Sequence, residues 1–327
     1  MAAPDRMTET AGRKFFIGLP RGAGLVWVLI GLCILATFLS PSFLNPVNVT
    51  NVLRQVALFG IVSVGMTFVI LTKGIDLSVG SILGVCSVTT ALLLVAGWTM
   101  PAVVAAVLVI GVLMGAVNGL GITLGGIPPF IMTLGMMVMG RGLALTLANG
   151  QPVSIGGRAA EFMWLGRGAA LGLPVPVWIF AIVAGVAIYV LRYTTYGRQI
   201  YAVGSNAEAA HLSGINVGLV TFSVYMISGF LASLTALIFV SRLTVGEPTA
   251  GTGIELEAIA ITVIGGTSLF GGEGGILGTI IGAGILAILA NIMNLLGISP
   301  FTQQIVKGAI IIGAALYEML GKRRSRH

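Results

Sequence analysis

Runs of about 20 apolar residues recur along almost the whole chain, and this pattern constrains its folds more than any other feature. In hydrocarbon every backbone N–H and C=O must be satisfied within the protein, so such runs resolve into helices. Ten spans are predicted: 24–40, 53–72, 77–97, 100–122, 129–148, 174–192, 216–241, 257–271, 276–296 and 302–320. The eighth is short for a full crossing and reads equally as a broken or re-entrant segment, which is tolerated only where protein or water covers its backbone. The mean hydropathy of +1.06 over 327 residues leaves no room for a soluble domain. The expected class is all-α: a polytopic membrane protein of about ten transmembrane helices.

Charge supplies the orientation. Arg6, Arg13, Lys14 and Arg21 lie before the first span, and Lys322, Arg323, Arg324 and Arg326 follow the last. Basic flanks mark the cytoplasmic side, so both termini are expected there and the number of crossings must be even. Residues 1–22 then form a basic cytoplasmic tail, 23–320 one transmembrane domain with 193–215 as a cytoplasmic loop, and 321–327 a second basic tail. The same charge read as a nucleic-acid patch lacks interleaved aromatics and a domain to carry them, so no nucleic-acid partner is expected. Arg158, Arg167 and Arg242 fall in loops assigned to the outside, against the charge rule. The first apolar run follows a basic segment but has no small-residue cleavage site, and reads as an uncleaved helix.

Several chemistries are poorly supported. Cys33 and Cys86 fall inside spans and read as small buried hydrophobes. With no Cys-x-x-Cys and only His211 and His327, no metal or cofactor site is expected. There is no G-x-x-x-x-G-K-[ST] loop for ATP, and neither hydrolase signature, His-Glu-x-x-His or Gly-x-Ser-x-Gly, occurs. The glycine-rich stretch GGTSLFGGEGG at 265–275 reads as a tight bend between spans. Gly111, Gly115 and Gly119 lie on one helix face, and Gly80/Gly84 and Gly278/Gly282 repeat the spacing, as packing seams do. Among the few charges at membrane depth, Asp76 stands at a helix start in IDLSVGS, where a carboxylate is favourable to free N–H groups.

One polar stretch interrupts the apolar chain: GSNAEAAHLSG, 204–214. Ser205 and Glu208 have capping-box spacing, Asn206 to Leu212 make about two turns, and Gly214 offers a left-handed cap. A helix this short is marginal alone and must be held by contact. It reads as an interfacial linker or as a docking element for a cytoplasmic partner.

EAAHLSG (208–214) resembles the cytoplasmic loop motif E-A-A-x-x-x-G of bacterial ABC-importer permeases. VGMTFVILTKGIDLSVGSILG (64–84), YGRQIYAVGSNAEAAHLSGINV (196–217) and PTAGTGIELEAIAITVIGGTSLFGGEGGILGTIIGA (248–283) resemble the permease subunit of ribose-, xylose- and galactose-type importers, and the resemblance runs from about residue 25 to 320. Two departures stand out: the usual Ile-x-Leu-Pro extension is missing downstream of 214, and Lys73 replaces the more usual Gly or Ser. The resemblance implies two copies of the permease, a homodimer, in the bacterial inner (plasma) membrane, a cytoplasmic ABC ATPase subunit docked on the internal loops, and a periplasmic sugar-binding protein outside. It implies no covalent chemistry by the permease, hence no enzyme. It makes Ser205, Asn206, Glu208, Ala209, Ala210, His211 and Gly214 the coupling residues, and a monosaccharide, a ribose-like pentose or a hexose, the cargo.

A neutral, hydroxyl-rich cargo needs a polar lining. Asp76, Asn118, Thr133, Ser228, Asn291 and Asn294 are candidates, though each amide or hydroxyl serves equally as an interhelical hydrogen-bond partner. Three rivals stay in view: an ion-coupled secondary sugar carrier, an intramembrane enzyme or lipid flippase, and a permease of the same family for a non-sugar or sugar-derived ligand. The scarcity of mid-membrane carboxylates weighs against the first, and the missing catalytic constellation against the second.

Overall fold

The computed structural model describes residues 23–324; the basic residues expected to form the N-terminal tail, and Arg326, lie outside them. The chain is helical almost throughout: α1 (Ala23–Leu39), α2 (Pro46–Leu71), α3 (Val79–Val95), α4 (Met100–Thr123), α5 (Pro129–Leu147), α6 (Ala159–Phe162), α7 (Trp164–Arg167), α8 (Val175–Tyr193), α9 (Thr195–Ser205), α10 (Ala207–Leu212), α11 (Val217–Leu243), α12 (Ile254–Ile264), α13 (Ile276–Leu295) and α14 (Pro300–Arg324). Helices α2, α4, α5, α8, α11 and α13 are long and apolar enough to cross a membrane, and Gly24–Leu39 and Val79–Val95 are shorter apolar helices. It is a polytopic membrane protein.

Each expected span has a helix, with informative differences at the ends. Helix α2 starts earlier than its apolar run, because Asn45 accepts from the Val47 N–H and Pro46 sits where a missing N–H is harmless. At 26 residues it is roughly 39 Å long at about 1.5 Å per residue. The eighth span is an 11-residue helix, α12, too short to cross a hydrocarbon core of about 30 Å. The glycine-rich stretch after it is the expected bend. The 149–173 segment, expected only as a loop, carries α6, α7 and two ribbons: β1 (Val153–Ser154) pairs antiparallel with β4 (Val245–Gly246), and β2 (Ala169–Ala170) with β3 (Leu173–Pro174). Helix α14 runs on to Arg324, into the basic stretch that begins at residue 321.

Helices α2 and α11 form the centre because both bury opposite faces. On α2, Ile61, Val64, Phe68 and Leu71 pack with α8, α9 and one side of α11. Val62, Met66 and Ile70 pack with α3, α4 and the other side of α11. The glycine ridge of α4 is the expected seam: Gly111 lies against Gly229 and Ser233, Gly115 against the Tyr225 backbone and Gly119 against Phe222 of α11, so a Cβ at any of them would collide. Lipid offers no hydrophobic drive between helices, so this backbone approach is itself the adhesive.

The two ends of the bundle differ. At one, the α2–α3 turn, the α9–α10 junction and the 265–275 bend meet through Leu71, Gly204 and Gly272. At the opposite end of α2, Arg54 donates to the Arg167 carbonyl (3.2 Å) and Arg167 to that of Arg242 (2.6 Å).

Candidate coupling site and polar core

The polar stretch folds as a compact two-helix element. Helix α9 starts where the Thr194 hydroxyl accepts from the Gly197 N–H (3.1 Å). It buries Gly197, Ile200, Val203 and Gly204 on one face, an amphipathic pattern that lays it along the bundle end. Tyr196 and Ser223 share a hydrogen bond of 2.5 Å, anchoring α9 to α11. Tyr201 donates to the Gly274 carbonyl (2.9 Å), and burial pushes its phenol above the ordinary value, so it stays a donor.

Helix α10 corrects the expected capping box. Ser205 closes α9, and the cap is Asn206, whose side chain accepts from the Ala209 N–H (3.0 Å). Asn206 is extended, with φ −153° and ψ 105°, as a cap residue should be. The one-residue shift follows from α9: Ser205 is still helical and cannot also be the extended cap. Glu208 instead lies in the first turn near the positive end of the helix. The far end is as expected. Gly214 has φ +81°, Gly214 N–H reaches the His211 carbonyl (2.9 Å) and Ile215 N–H that of Ala210 (3.0 Å), a Schellman closure. Ala210 is buried, whereas Ser205, Asn206, Glu208, Ala209, His211 and Gly214 are exposed. The seven predicted coupling residues therefore lie together, six of them exposed and Ala210 packed into the core.

Four of the six predicted pathway residues also come together. Asp76 is fully buried. Its Oδ1 accepts from the Ser78 N–H (3.0 Å) and hydroxyl (2.6 Å), and its Oδ2 from the Ser228 hydroxyl (2.7 Å). Asn118 donates to Ser78 Oγ (2.8 Å), and Thr133 donates to the Ile75 carbonyl (3.1 Å). This carboxylate does more than begin a helix: it ties the start of α3 to α11 directly and to α4 through Ser78. Asn118 Oδ1 and the Tyr225 hydroxyl are buried with no partner among the described residues. Asn291 and Asn294 stand apart. Asn291 exchanges amide hydrogen bonds with Asn48 (2.7 and 3.0 Å), and Asn294 accepts from Gln303 (2.8 Å), joining α13 to α2 and α14.

Sequence reasoning missed three contributors. Ser78 was legible as the hydroxyl two residues after an Asp, an Asx-turn signature. Tyr225 carried no local signal. Arg141, on α5, donates to the carbonyls of Pro248 (2.6 Å), Ala250 (3.0 Å) and Gly80 (3.4 Å), joining that segment to α5 and α3. A cleft of about 520 Å³ lies between α8–α9 and the glycine-rich bend, lined by Arg192, Tyr201 and Glu273 among others.

Residues 48–315 match the family described as "Branched-chain amino acid transport system / permease component". The chain belongs to this permease family. The permease is 46% identical over 316 residues to the ribose import permease protein RbsC of Escherichia coli K12, covering 95% of this chain and 98% of that protein. It is 46% identical over 323 residues to RbsC of Bacillus subtilis 168, covering 96% and 98%. Against the xylose transport system permease protein XylH of E. coli K12 identity is 37% over 344 residues, covering 87% and 88%. No solved structure matches. As a permease component it is a transport protein rather than an enzyme.

Proposed function

We propose that the permease is the membrane subunit of an ATP-driven importer of a monosaccharide, with ribose its first candidate cargo, in the bacterial inner membrane. The observation that carries this is 46% identity to the ribose permease RbsC of Escherichia coli K12 over 95% of the chain, against 37% to the xylose permease over 87%. The family description names branched-chain amino acids, so the family alone does not choose the cargo. Xylose is the second reading, on the strength of its own match.

On this reading the chain crosses ten times through α1, α2, α3, α4, α5, α8, α11, α12, α13 and α14, with α12 crossing only in combination with the bend that follows it. Both termini are then cytoplasmic, and α9–α10 lies on the same side. The exposed α10 takes the ATPase subunit, a periplasmic sugar-binding protein docks at the opposite end near Arg54, Arg167 and Arg242, and two permeases pair. Asp76, Asn118, Thr133 and Ser228 border the pathway, supported by the unmet hydrogen-bonding capacity of Asn118 and Tyr225 beside them. Asn291 and Asn294 act instead as interhelical fasteners.

The test is reconstitution. Proteoliposomes holding the permease, its ATPase and its binding protein are expected to accumulate labelled ribose only with internal or external ATP reaching the ATPase. Ribose uptake by the permease alone, driven by an ion or sugar gradient, would refute the reading. Uptake of xylose but not ribose would replace the cargo and keep the mechanism.

A further inference from the structure

Lys73 is a non-glycine residue held in left-handed backbone, φ +64°, immediately after α2. Few L side chains adopt that conformation without cause. Its ammonium donates to the Ser205 carbonyl (3.0 Å), the last residue of α9 and the one before the Asn206 cap. The carbonyls of a helix's final turn lack intrahelical donors and carry the negative end of the dipole, so a cation is well placed there. Two backbone contacts close the same junction. The Gly272 N–H donates to the Leu71 carbonyl (3.0 Å), and Gly204 lies so near that carbonyl that no side chain fits. Tyr201 ties α9 to Gly274 in the same bend. Three residues beyond Lys73 comes Asp76, whose carboxylate reaches Ser78 of the α3 start and Ser228 of α11.

We infer that Lys73 is a positioning residue for transport, joining the base of the α9–α10 element to the α2–α3 break, with the 271–274 turn as the third member of the junction. A displacement of α10 then acts on the Asp76 cluster through the four contiguous residues 73–76, rather than along α11. The inference rests on the reading that α10 receives the ATPase.

The test uses the assembled importer in proteoliposomes, with ribose as cargo. Lys73→Gly removes the ammonium and suits the left-handed backbone, so folding is expected to hold; Lys73→Met removes only the charge, and Lys73→Arg keeps a donor. Three quantities are read: ATPase subunit retained on the permease, ATP hydrolysis, and ribose moved per ATP. The expected result for Lys73→Gly and Lys73→Met is wild-type ATPase retention and hydrolysis with about a tenfold fall in ribose per ATP, within the usual coupling range of about 5- to 150-fold; Lys73→Arg restores most of it. A wild-type ratio in both Lys73→Gly and Lys73→Met overturns the inference and leaves the docking reading standing. Loss of the ATPase subunit from these variants also overturns it, because Lys73 would then shape the docking element and not the transmission. Failure of the wild-type permease to retain the ATPase would sink the docking reading itself.

Discussion

The α9–α10 element and the Asp76 cluster are both polar islands in an apolar chain, yet they are built in opposite ways. In α10 the ordering hydrogen bonds are local: Asn206 to Ala209, Gly214 to His211, Ile215 to Ala210. In the cluster Asp76 reaches Ser228, 152 residues away, and Ser78 meets Asn118 across 40. Helix α10 is exposed but for Ala210, whereas the cluster is fully buried. A local element can move as a unit without losing its own bonds. A cluster joining α3, α4 and α11 cannot shift without disturbing three helices. The contrast suits a device in which a self-contained handle moves and a cross-linked centre responds.

The largest effect is expected at the cluster. Asp76→Ala leaves the Ser78 and Ser228 donors buried without their acceptor and should destabilise the permease by about 3 kcal/mol or more, given about 1–3 per orphaned group. Thermal unfolding in detergent reads this; a melting point unchanged within error would mean the cluster is not a structural hub. Gly214→Val should be smaller and confined. An L side chain in left-handed backbone costs about 1–2 kcal/mol, and the site has open space, so the penalty is backbone strain without a clash. Hydrogen exchange should quicken in 207–215 and stay unchanged at 76–81. Spread of faster exchange into α3 would break the claim that the handle is self-contained. Smallest is the cap. Asn206→Ala should cost about 1 kcal/mol of local helix stability, while Ser205→Ala should fall within about 0.5 kcal/mol. Equal effects would restore the capping box read from sequence.

The same contrast governs what the sequence made legible. The spans were readable because bilayer thickness imposes a length and backbone satisfaction imposes a helix. The Gly111–Gly115–Gly119 seam was readable because helical periodicity puts those positions on one face. The closure at Gly214 was readable because only a few residue types tolerate its backbone. The cap was misplaced by one residue because Ser205 and Asn206 are both good caps, and only the presence of α9 decides between them. The cluster was out of reach: Asp76, Asn118 and Ser228 were each singled out as polar residues at membrane depth, but nothing local reports that they meet. Asn291 and Asn294 carried the same signal and turned out to bond elsewhere, to Asn48 and Gln303. Lys73 failed for a related reason, since its partner Ser205 lies 132 residues away.

The most direct test of the account is where the ATPase touches the permease. A photo-crosslinking amino acid placed at Glu208 or at His211, both exposed, reports the neighbour of α10 in the intact membrane. The account predicts a cross-link from both positions to the ATPase subunit, and none from a probe at Leu171 near the opposite end. Absence of the ATPase from the 208 and 211 adducts, with its capture at Leu171, would contradict the orientation of the chain and the role of α10 together.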